Sequence, residues 1–184
     1  MRPRPRPDAA LRLFCLPYAG GGASLYWRWS GDLPPGVELV AIQLPGHESH
    51  MELPAFSYLD DLLPPCVEHI APLLDKPFIL FGHSMGALIG YELALYLQNN
   101  GYPQAHHLFV SAFRAPHVPD HLPDVHRWSD EELQQFMIDE YAMPREVFAY
   151  PGFNELMLPT LRADLMLCAT HRCKSAWLLH TPLT

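Results

Sequence analysis

Short apolar runs, separated by turns rich in glycine and proline, alternate with stretches of helical periodicity over the first 111 residues. Continuous apolar runs of this length are typical of buried strands. The four runs are Leu11–Leu16, Val37–Gln43, Phe78–Phe81 and His107–Ser111. Between them, Tyr58–Leu74 and Met85–Asn99 carry apolar residues at helical spacing, although we expect Pro64 and Pro65 to bend or interrupt the first. Strands that alternate with helices predict a mostly parallel sheet with helices on both faces.

From Pro116 onward the pattern changes to consecutive helices. Ser129 and Glu132 have capping-box spacing at the start of a helix predicted over 129–140. Residues 153–170 are also amphipathic, and Pro159 within them predicts two helices or one kinked helix. Helices without intervening strands indicate an insertion over the edge of the sheet.

These patterns divide the chain into four parts. Alternating Arg and Pro in residues 1–10 predict a disordered, solvated lead-in. Residues 11–115 form the core, in which Ser24 is the expected N-cap of a short helix, and residues 116–173 form the helical insertion. Residues 174–184, which include Trp177, begin what we predict to be a further core strand.

The net charge of the chain argues against some classes of binding partner. Twelve Lys and Arg residues against 20 Asp and Glu residues give a net charge of −8 among 184 residues. An acidic chain without a basic stripe argues against nucleic acid and against a membrane surface as partners. The apolar run at residues 77–91 carries no charged side chain, but it is too short to span a bilayer.

Cysteine usage gives no sign of disulfides or metal. Four cysteines are few for this length, and free buried thiols in a cytoplasmic protein explain them best. Cys168, His171 and Cys173 lie close together, but their spacing matches no common zinc pattern, so we predict no metal site.

The strongest chemical signal is the pentapeptide Gly82-His-Ser84-Met-Gly86. An apolar strand precedes it and a long helix follows it, which is the setting of a nucleophile elbow. In such a tight turn, side chains two residues before and after the serine would collide with neighbouring backbone, so both positions require glycine. The alternative is a glycine-rich strand-to-helix turn in which Ser84 only caps the helix.

A second glycine-rich segment, Pro17–Ala23, follows the first strand and holds three consecutive glycines. In hydrolases with this elbow, the oxyanion hole pairs the N–H after the nucleophile, here Met85, with an N–H from a loop of this kind. A phosphate-binding loop is the rival interpretation, but the segment lacks the Lys-Ser/Thr ending of a P-loop and the spacing of a dinucleotide site. A flexible connector is the third possibility.

The sequence offers no convincing acid or base for Ser84. His83 is adjacent to it on a sharp turn, where neighbouring side chains point apart. Other histidines, including His47 and His50, lie in loops or at element ends, where we expect solvated or capping roles. Downstream acids, Asp164 and Asp120 among them, fall in the helical insertion rather than at the end of a strand. The remaining acids there are Asp124, Asp130, Glu131, Glu132, Asp139, Glu140, Glu146 and Glu155.

The elbow and the glycine loop together resemble those of the type II thioesterases, the stand-alone α/β-hydrolases that accompany polyketide and non-ribosomal peptide synthetases. The matching stretches occur in family order: Phe14–Ala23, Gln43–Gly46, Asp75–Phe78, Phe81–Ala87, His107–Ser111 and Leu161–Asp164. The resemblance implies that Ser84 is the nucleophile and that the N–H groups of Met85 and Ala19 bind the oxyanion. It also implies that residues 116–173 are a lid over an acyl chamber. Apolar lid residues could line that chamber or simply pack the lid: Leu133, Phe136, Met137, Leu158 and Leu165.

The implied reaction is hydrolysis of acyl thioesters on phosphopantetheine-bearing carrier proteins, with no cofactor. The alternatives are a carboxylester hydrolase of the same fold, or a non-catalytic fragment that docks a carrier domain. The chain departs from the family at His47 and His50, where arginines are usual. The resemblance implies that two members of the catalytic triad, an aspartate and a histidine, would fall beyond Thr184. The last strands and helix of the family would fall there too. We therefore expect the 184 residues alone to be inactive.

Overall fold

A four-stranded, fully parallel sheet forms the centre of the computed structural model, which describes residues 1–118, 125–173 and 178–184. The strands lie in the order β2-β1-β3-β4. They are β1 (Leu11–Leu16), β2 (Val37–Ala41), β3 (Phe78–His83) and β4 (His107–Ser111). All four strands were predicted, although β2 is two residues shorter and β3 two residues longer than expected. The predicted acids Asp120 and Asp124, and Trp177 of the predicted final strand, lie outside the described residues.

Five α-helices occur in the described part of the chain: α1 (Trp29–Asp32), α2 (Leu59–Ile70), α3 (Met85–Asn99), α4 (Asp130–Tyr141) and α5 (Phe153–Thr170). α3 has the predicted bounds, and the predicted capping box at Ser129 and Glu132 is present at the start of α4. The short helix expected at Ser24 is instead a 3₁₀ turn whose N-cap is Gly22. Ser24 does not cap it, because its hydroxyl hydrogen-bonds with the carboxylate of Glu48.

Prolines interrupt the helices less than their sequence positions suggested. α2 is continuous through Pro64 and Pro65, and α5 is one helix, not two, through Pro159. A proline within a helix cannot donate to the carbonyl four residues earlier. For Pro64 and Pro159 those carbonyls belong to Asp60 and Glu155, which lie in exposed first turns of their helices. There water can replace the lost helical bond, so the helix continues.

The two faces of the sheet are covered by different parts of the chain. One face packs Phe14, Val40 and Leu80 against α2 and α3 in the main core. The opposite face packs Cys15 and Leu39 under the segment that contains the 3₁₀ turn. This alternation along β1 and β2 follows from the two-residue period of a strand. The carboxyl ends of the strands are not covered by these packed faces, and the loops that contain the candidate functional residues begin there.

Residues near Thr184 lie beside β4 in parallel. The N–H of Leu108 donates to the Pro182 carbonyl at 2.8 Å, and the N–H of Thr184 donates to the Leu108 carbonyl at 3.0 Å. Leu183 forms the corresponding parallel bridge with Leu108. This position, next to the outermost strand, is the one that a further core strand would take. No helix within the described ranges has both the length and the hydropathy to cross a bilayer.

The Arg-Pro segment hydrogen-bonds to the core, although most of its residues are exposed. The Met1 amino group donates to the Ala41 carbonyl, and the Arg6 guanidinium donates to the carbonyls of Pro34 and Val37. The cause is Glu38 on β2, a fully buried carboxylate that needs donors. The Arg6 N–H reaches it at 3.0 Å and Arg12 Nε at 2.9 Å. Composition alone does not reveal such a partner, and the disordered lead-in over residues 1–10 stays a prediction.

We predict that Glu38→Gln lowers the free energy of unfolding by about 3 kcal/mol, because it removes one partner of a buried ion pair. The pKa of Glu38 is lowered: burial would raise it, but hydrogen bonds from Arg12 and Arg6 outweigh that effect. The stabilisation is therefore present above the unfolded-state value of about 4.3 and is lost as the pH falls through the lowered pKa. Urea unfolding at several pH values measures both effects.

The matched control is Glu68→Gln, which removes an exposed carboxylate from α2 and should change stability by no more than about 0.5 kcal/mol. Equal effects of the two substitutions would show that the buried pair contributes nothing specific.

Candidate active site

Ser84 occupies a strained turn between β3 and α3. Its backbone has φ of 52° and ψ of −124°, a conformation that non-glycine residues rarely adopt. The turn is fixed on both sides, since the Ser84 N–H donates to the Ser111 carbonyl at 2.8 Å and the Ser84 carbonyl accepts from the Ala87 N–H at 2.8 Å. Such strain costs about 1–3 kcal/mol and persists where surrounding structure enforces it. The turn has the geometry predicted for a nucleophile elbow.

Both flanking glycines are required by close backbone contacts. A Cβ atom at Gly82 would lie 2.0 Å from the Gly86 carbonyl oxygen, and one at Gly86 would lie 2.2 Å from the Leu16 carbonyl oxygen. The obstructing atoms are backbone, so no side-chain rotation relieves the overlap. The collision expected from the sequence is therefore present at both positions.

The Ser84 hydroxyl is available for chemistry. The residue is half-buried, and its side chain makes no capping hydrogen bond to α3. The alternative interpretation, in which Ser84 only caps the helix, is therefore wrong. The hydroxyl stands at the N-terminus of a 15-residue helix, where free N–H groups and the helix dipole favour negative charge.

The glycine loop begins beside the elbow. Gly86 packs against the carbonyls of both Leu16 and Pro17, and Ala19 packs on the main core, to which Met85 belongs. The loop then turns, with the Gly21 N–H donating to the Tyr18 carbonyl at 2.9 Å and Gly20 at φ of 76°. Across the residues that the structure describes, the N–H groups of Ala19 and Met85 donate no hydrogen bond. Two unused donors thus belong to segments in contact at the elbow.

No acid–base pair contacts Ser84 in the described ranges. His83 Nδ1 is 3.0 Å from Ser111 Oγ, and its ring meets the Tyr18 ring edge-on at 6.0 Å between centroids. His171 Nε2 pairs with Glu92 at 2.8 Å, along α3 and away from the elbow. The prediction that His83 is not the base agrees with this geometry.

One buried pair was missed by the sequence analysis. His47, which we expected to be solvated or capping, is only 3% exposed, and its Nε2 lies 2.9 Å from Oδ2 of the buried Asp164. Burial acts to lower the pKa of His47, but the hydrogen bond and charge of Asp164 outweigh it, so the pKa is raised above 6.5. The same Asp164 oxygen accepts the Gly20 N–H at 2.7 Å. The histidines that stand where the resemblance implied arginines drew attention to this loop, but no feature of the sequence indicated Asp164 as the partner of His47.

The predicted chamber residues pack within the helical insertion. Leu133, Met137, Leu158 and Leu165 are at most 2% exposed in a cluster of their own, which we call the lid cluster, with Val125, Phe148 and Leu161. Phe136 lies at its border, with its ring centroid 4.8 Å from that of Trp128. In this conformation the five residues contact each other, which corresponds to the packing role that the sequence analysis left open. Whether they also line an acyl chamber stays a prediction.

The described residues contain no group of three or more His, Cys, Asp or Glu side chains arranged to hold a metal ion. His171, one of the three clustered residues near position 170, is instead paired with Glu92.

Comparison with known proteins identifies the family. The thioesterase domain family matches residues 11–180. The gramicidin S biosynthesis protein GrsT of Aneurinibacillus migulanus is 38% identical over 176 residues, which cover 96% of this chain and 69% of that protein. Among solved structures, the chain is similar to RedJ, a thioesterase from the prodiginine biosynthetic pathway of Streptomyces coelicolor. The two are 34% identical with a TM-score of 0.85, and the alignment covers 95% of this chain and 69% of the RedJ chain.

The type II thioesterase BorB from the borrelidin biosynthetic cluster is 31% identical with a TM-score of 0.81, and the alignment covers all of this chain and 74% of BorB. The fold, a parallel sheet with helices, is thus shared with α/β-hydrolase thioesterases along nearly the whole length of this chain. The chain belongs to the thioesterase domain family.

Proposed function

We propose that the protein hydrolyses acyl thioesters carried on the phosphopantetheine arms of carrier proteins, with Ser84 as the acyl acceptor. The observation that carries the proposal is the strained elbow that holds Ser84 beside a glycine loop with two unused N–H donors. A thioester carbonyl placed between these groups meets a nucleophile on one side and hydrogen-bond donors on the other.

The reaction has two steps. Ser84 Oγ bonds to the thioester carbonyl carbon, the negative charge on the carbonyl oxygen is bound by the N–H groups of Ala19 and Met85, and the C–S bond breaks as the thiol leaves with a proton. Water then attacks the serine ester, releases the carboxylic acid and restores the hydroxyl. No group in the described parts of the chain contacts Ser84 Oγ, so the proton acceptor is not assigned to any of them.

The relatives support the choice of partner. GrsT is a gramicidin S biosynthesis protein, and BorB is the type II thioesterase from the borrelidin biosynthetic cluster. A chain of the same family with the same elbow fits removal of acyl groups from carrier domains of a polyketide or non-ribosomal peptide synthetase. We place this activity in the cytoplasm, which the four free cysteines favour.

The helical insertion fits the role of a lid over the site. It has its own apolar cluster and meets the loops after β1 and β2 through polar contacts, such as Thr160 Oγ1 to the Gly46 carbonyl at 3.0 Å. In this assignment, residues 11–115 are the core, 116–173 the lid and 174–184 the start of a further strand. Entry of an acyl chain among Leu133, Met137 and their neighbours requires the lid cluster to open, since these residues are buried.

A Ser84→Cys substitution tests the acyl acceptor without requiring a base. A thiolate is a strong nucleophile on its own, and a position at a helix N-terminus increases the thiolate fraction. We expect Ser84→Cys to form an acyl-enzyme with an acyl-pantetheine thioester at least about tenfold faster than a matched exposed cysteine, because two N–H donors stabilise the oxyanion. Intact-protein mass spectrometry over time measures the rate.

The matched control is Ser49→Cys, which places a thiol on an exposed loop, and the wild-type chain is the blank. Burial raises the pKa of Cys15 to about 12 and that of Cys66 to about 11, so these native thiols contribute little background. Equal acylation at positions 84 and 49 would refute the assignment of Ser84.

The wild-type 184-residue chain should hydrolyse acyl-carrier thioesters slowly. Because no described histidine hydrogen-bonds to the Ser84 hydroxyl, we expect turnover roughly 10⁴ to 10⁶ below that of a serine hydrolase with a complete triad. The turnover is measured as the release of thiol from an acyl-carrier protein, which a thiol reagent detects. GrsT, assayed in parallel, is the reference. Steady turnover at the rate of GrsT would contradict this expectation and point to a base outside the described residues.

A further inference from the structure

A single carboxylate oxygen joins three separate parts of the site. Asp164 lies on α5 and is 1% exposed. Its Oδ2 accepts the Gly20 N–H of the glycine loop at 2.7 Å and lies 2.9 Å from His47 Nε2 of the loop after β2. The three residues are far apart in sequence, so this contact fixes the lid helix against both loops at once.

The two partners of the His47 ring require it to be protonated on both nitrogens. Nδ1 is 2.9 Å from the Pro45 carbonyl oxygen, and Nε2 is 2.9 Å from Asp164 Oδ2. A carbonyl and a carboxylate can only accept, and a neutral imidazole has only one N–H. The imidazolium satisfies both acceptors, whereas loss of its proton leaves one of them without a donor in a buried site.

The charged groups around the His47 ring also favour its protonated state. Asp164 faces it from α5 and Glu48 from its own loop, and both act to raise the pKa of His47. The remaining neighbours are uncharged: Phe56, Leu62 and Leu167 border the same small void. Gln43 Nε2 donates to the His47 carbonyl at 2.8 Å and holds the backbone in place.

The hydrogen bond to Gly20 selects the conformation of the oxyanion loop. Ala19 and Gly20 are the central residues of the turn closed by Tyr18 and Gly21, and positive φ at Gly20 is the mark of a type II turn. The peptide between Ala19 and Gly20 is the one that is reversed between type I and type II turns. Asp164 binds the N–H of that peptide, so it holds the orientation of the segment that carries the Ala19 N–H.

We propose that Asp164 and protonated His47 form a proton-dependent clamp that holds the turn at Ala19 and Gly20, the turn that carries the Ala19 N–H. Asp164 acts as a positioning residue, and His47 supplies the charge that makes a buried carboxylate tolerable next to an oxyanion site. The catalytic part of this inference rests on the proposed function. The clamp releases as the pH rises and His47 loses its proton.

Nuclear magnetic resonance tests the clamp without catalysis. In the wild-type chain, the Gly20 amide resonance should move with the same midpoint as the His47 ring signals, and its hydrogen exchange should accelerate through that midpoint beyond the intrinsic pH effect. His47→Arg supplies a permanently charged donor and should abolish this titration. His50→Gln, which changes an exposed histidine of the same loop, should leave it intact.

Acylation in the Ser84→Cys background tests the positioning role. Adding Asp164→Asn should lower the limiting acylation rate by about tenfold or more, approaching the loss of one oxyanion donor, with little change in the half-saturating thioester concentration. The matched control, Glu155→Gln, removes an exposed carboxylate from α5 and should stay within about twofold of the parent rate.

The outcomes separate the two proposals. The clamp is overturned if the Gly20 resonance does not change as His47 titrates. It is also overturned if the Asp164→Asn variant has the same Gly20 exchange rate and the same limiting acylation rate as its parent. If Ser84→Cys reacts no faster than Ser49→Cys while Gly20 still follows His47, the clamp stands and the proposed function fails. The wild-type titration requires no substitution, so a misfolded variant does not decide the result.

Discussion

The site depends on backbone packed directly against backbone at two glycines. Gly82 and Gly86 leave no room for a Cβ atom, because the turn between β3 and α3 folds onto itself and onto the Leu16 carbonyl at the end of β1. A side chain at either position would push α3 away from the sheet and separate Ser84 from the glycine loop. The parallel register sets the same alignment, since Leu16 lies opposite Gly82. The strained φ of Ser84 is thus maintained by contacts on both sides of the turn.

Features that depend on neighbouring residues were predictable from the sequence, and features that depend on distant pairing were not. The bounds of β1, β4 and α3 follow from local periodicity and match the structure. The elbow could also be predicted, because its five residues are contiguous in the sequence, although the Leu16 carbonyl that excludes a side chain at Gly86 lies on β1. In contrast, His47 and Asp164 are 117 positions apart, and nothing near either residue indicates its partner. The contact between the Arg-Pro segment and Glu38 on β2 was not foreseen for the same reason, since Arg6 lies 32 positions from the carboxylate that it binds.

The lid and the core are joined by interactions of different kinds. Apolar side chains of the lid are gathered into the lid cluster, while Leu167 and Cys168 near the end of α5 belong to the main core. Between these regions, α5 meets the loops through Thr160 and Asp164, each of which hydrogen-bonds to a loop residue. Apolar contact is non-directional, whereas these hydrogen bonds each specify one arrangement. The end of α5 thus anchors this helix to the core, and the polar contacts fix its position against the loops after β1 and β2.

Electrostatics explains why an anion so close to the candidate oxyanion site needs His47. In the proposed reaction, a negative charge develops near the N–H of Ala19, one residue from the N–H that Asp164 binds. Two unit charges of the same sign roughly 8 Å apart repel by about 2 kcal/mol at an effective dielectric constant of about 20, which would slow the reaction about thirtyfold. A protonated His47 against Asp164 cancels most of that field while leaving the carboxylate free to hold Gly20. The ion pair therefore allows one residue to orient the loop without opposing the charge that the loop must stabilise.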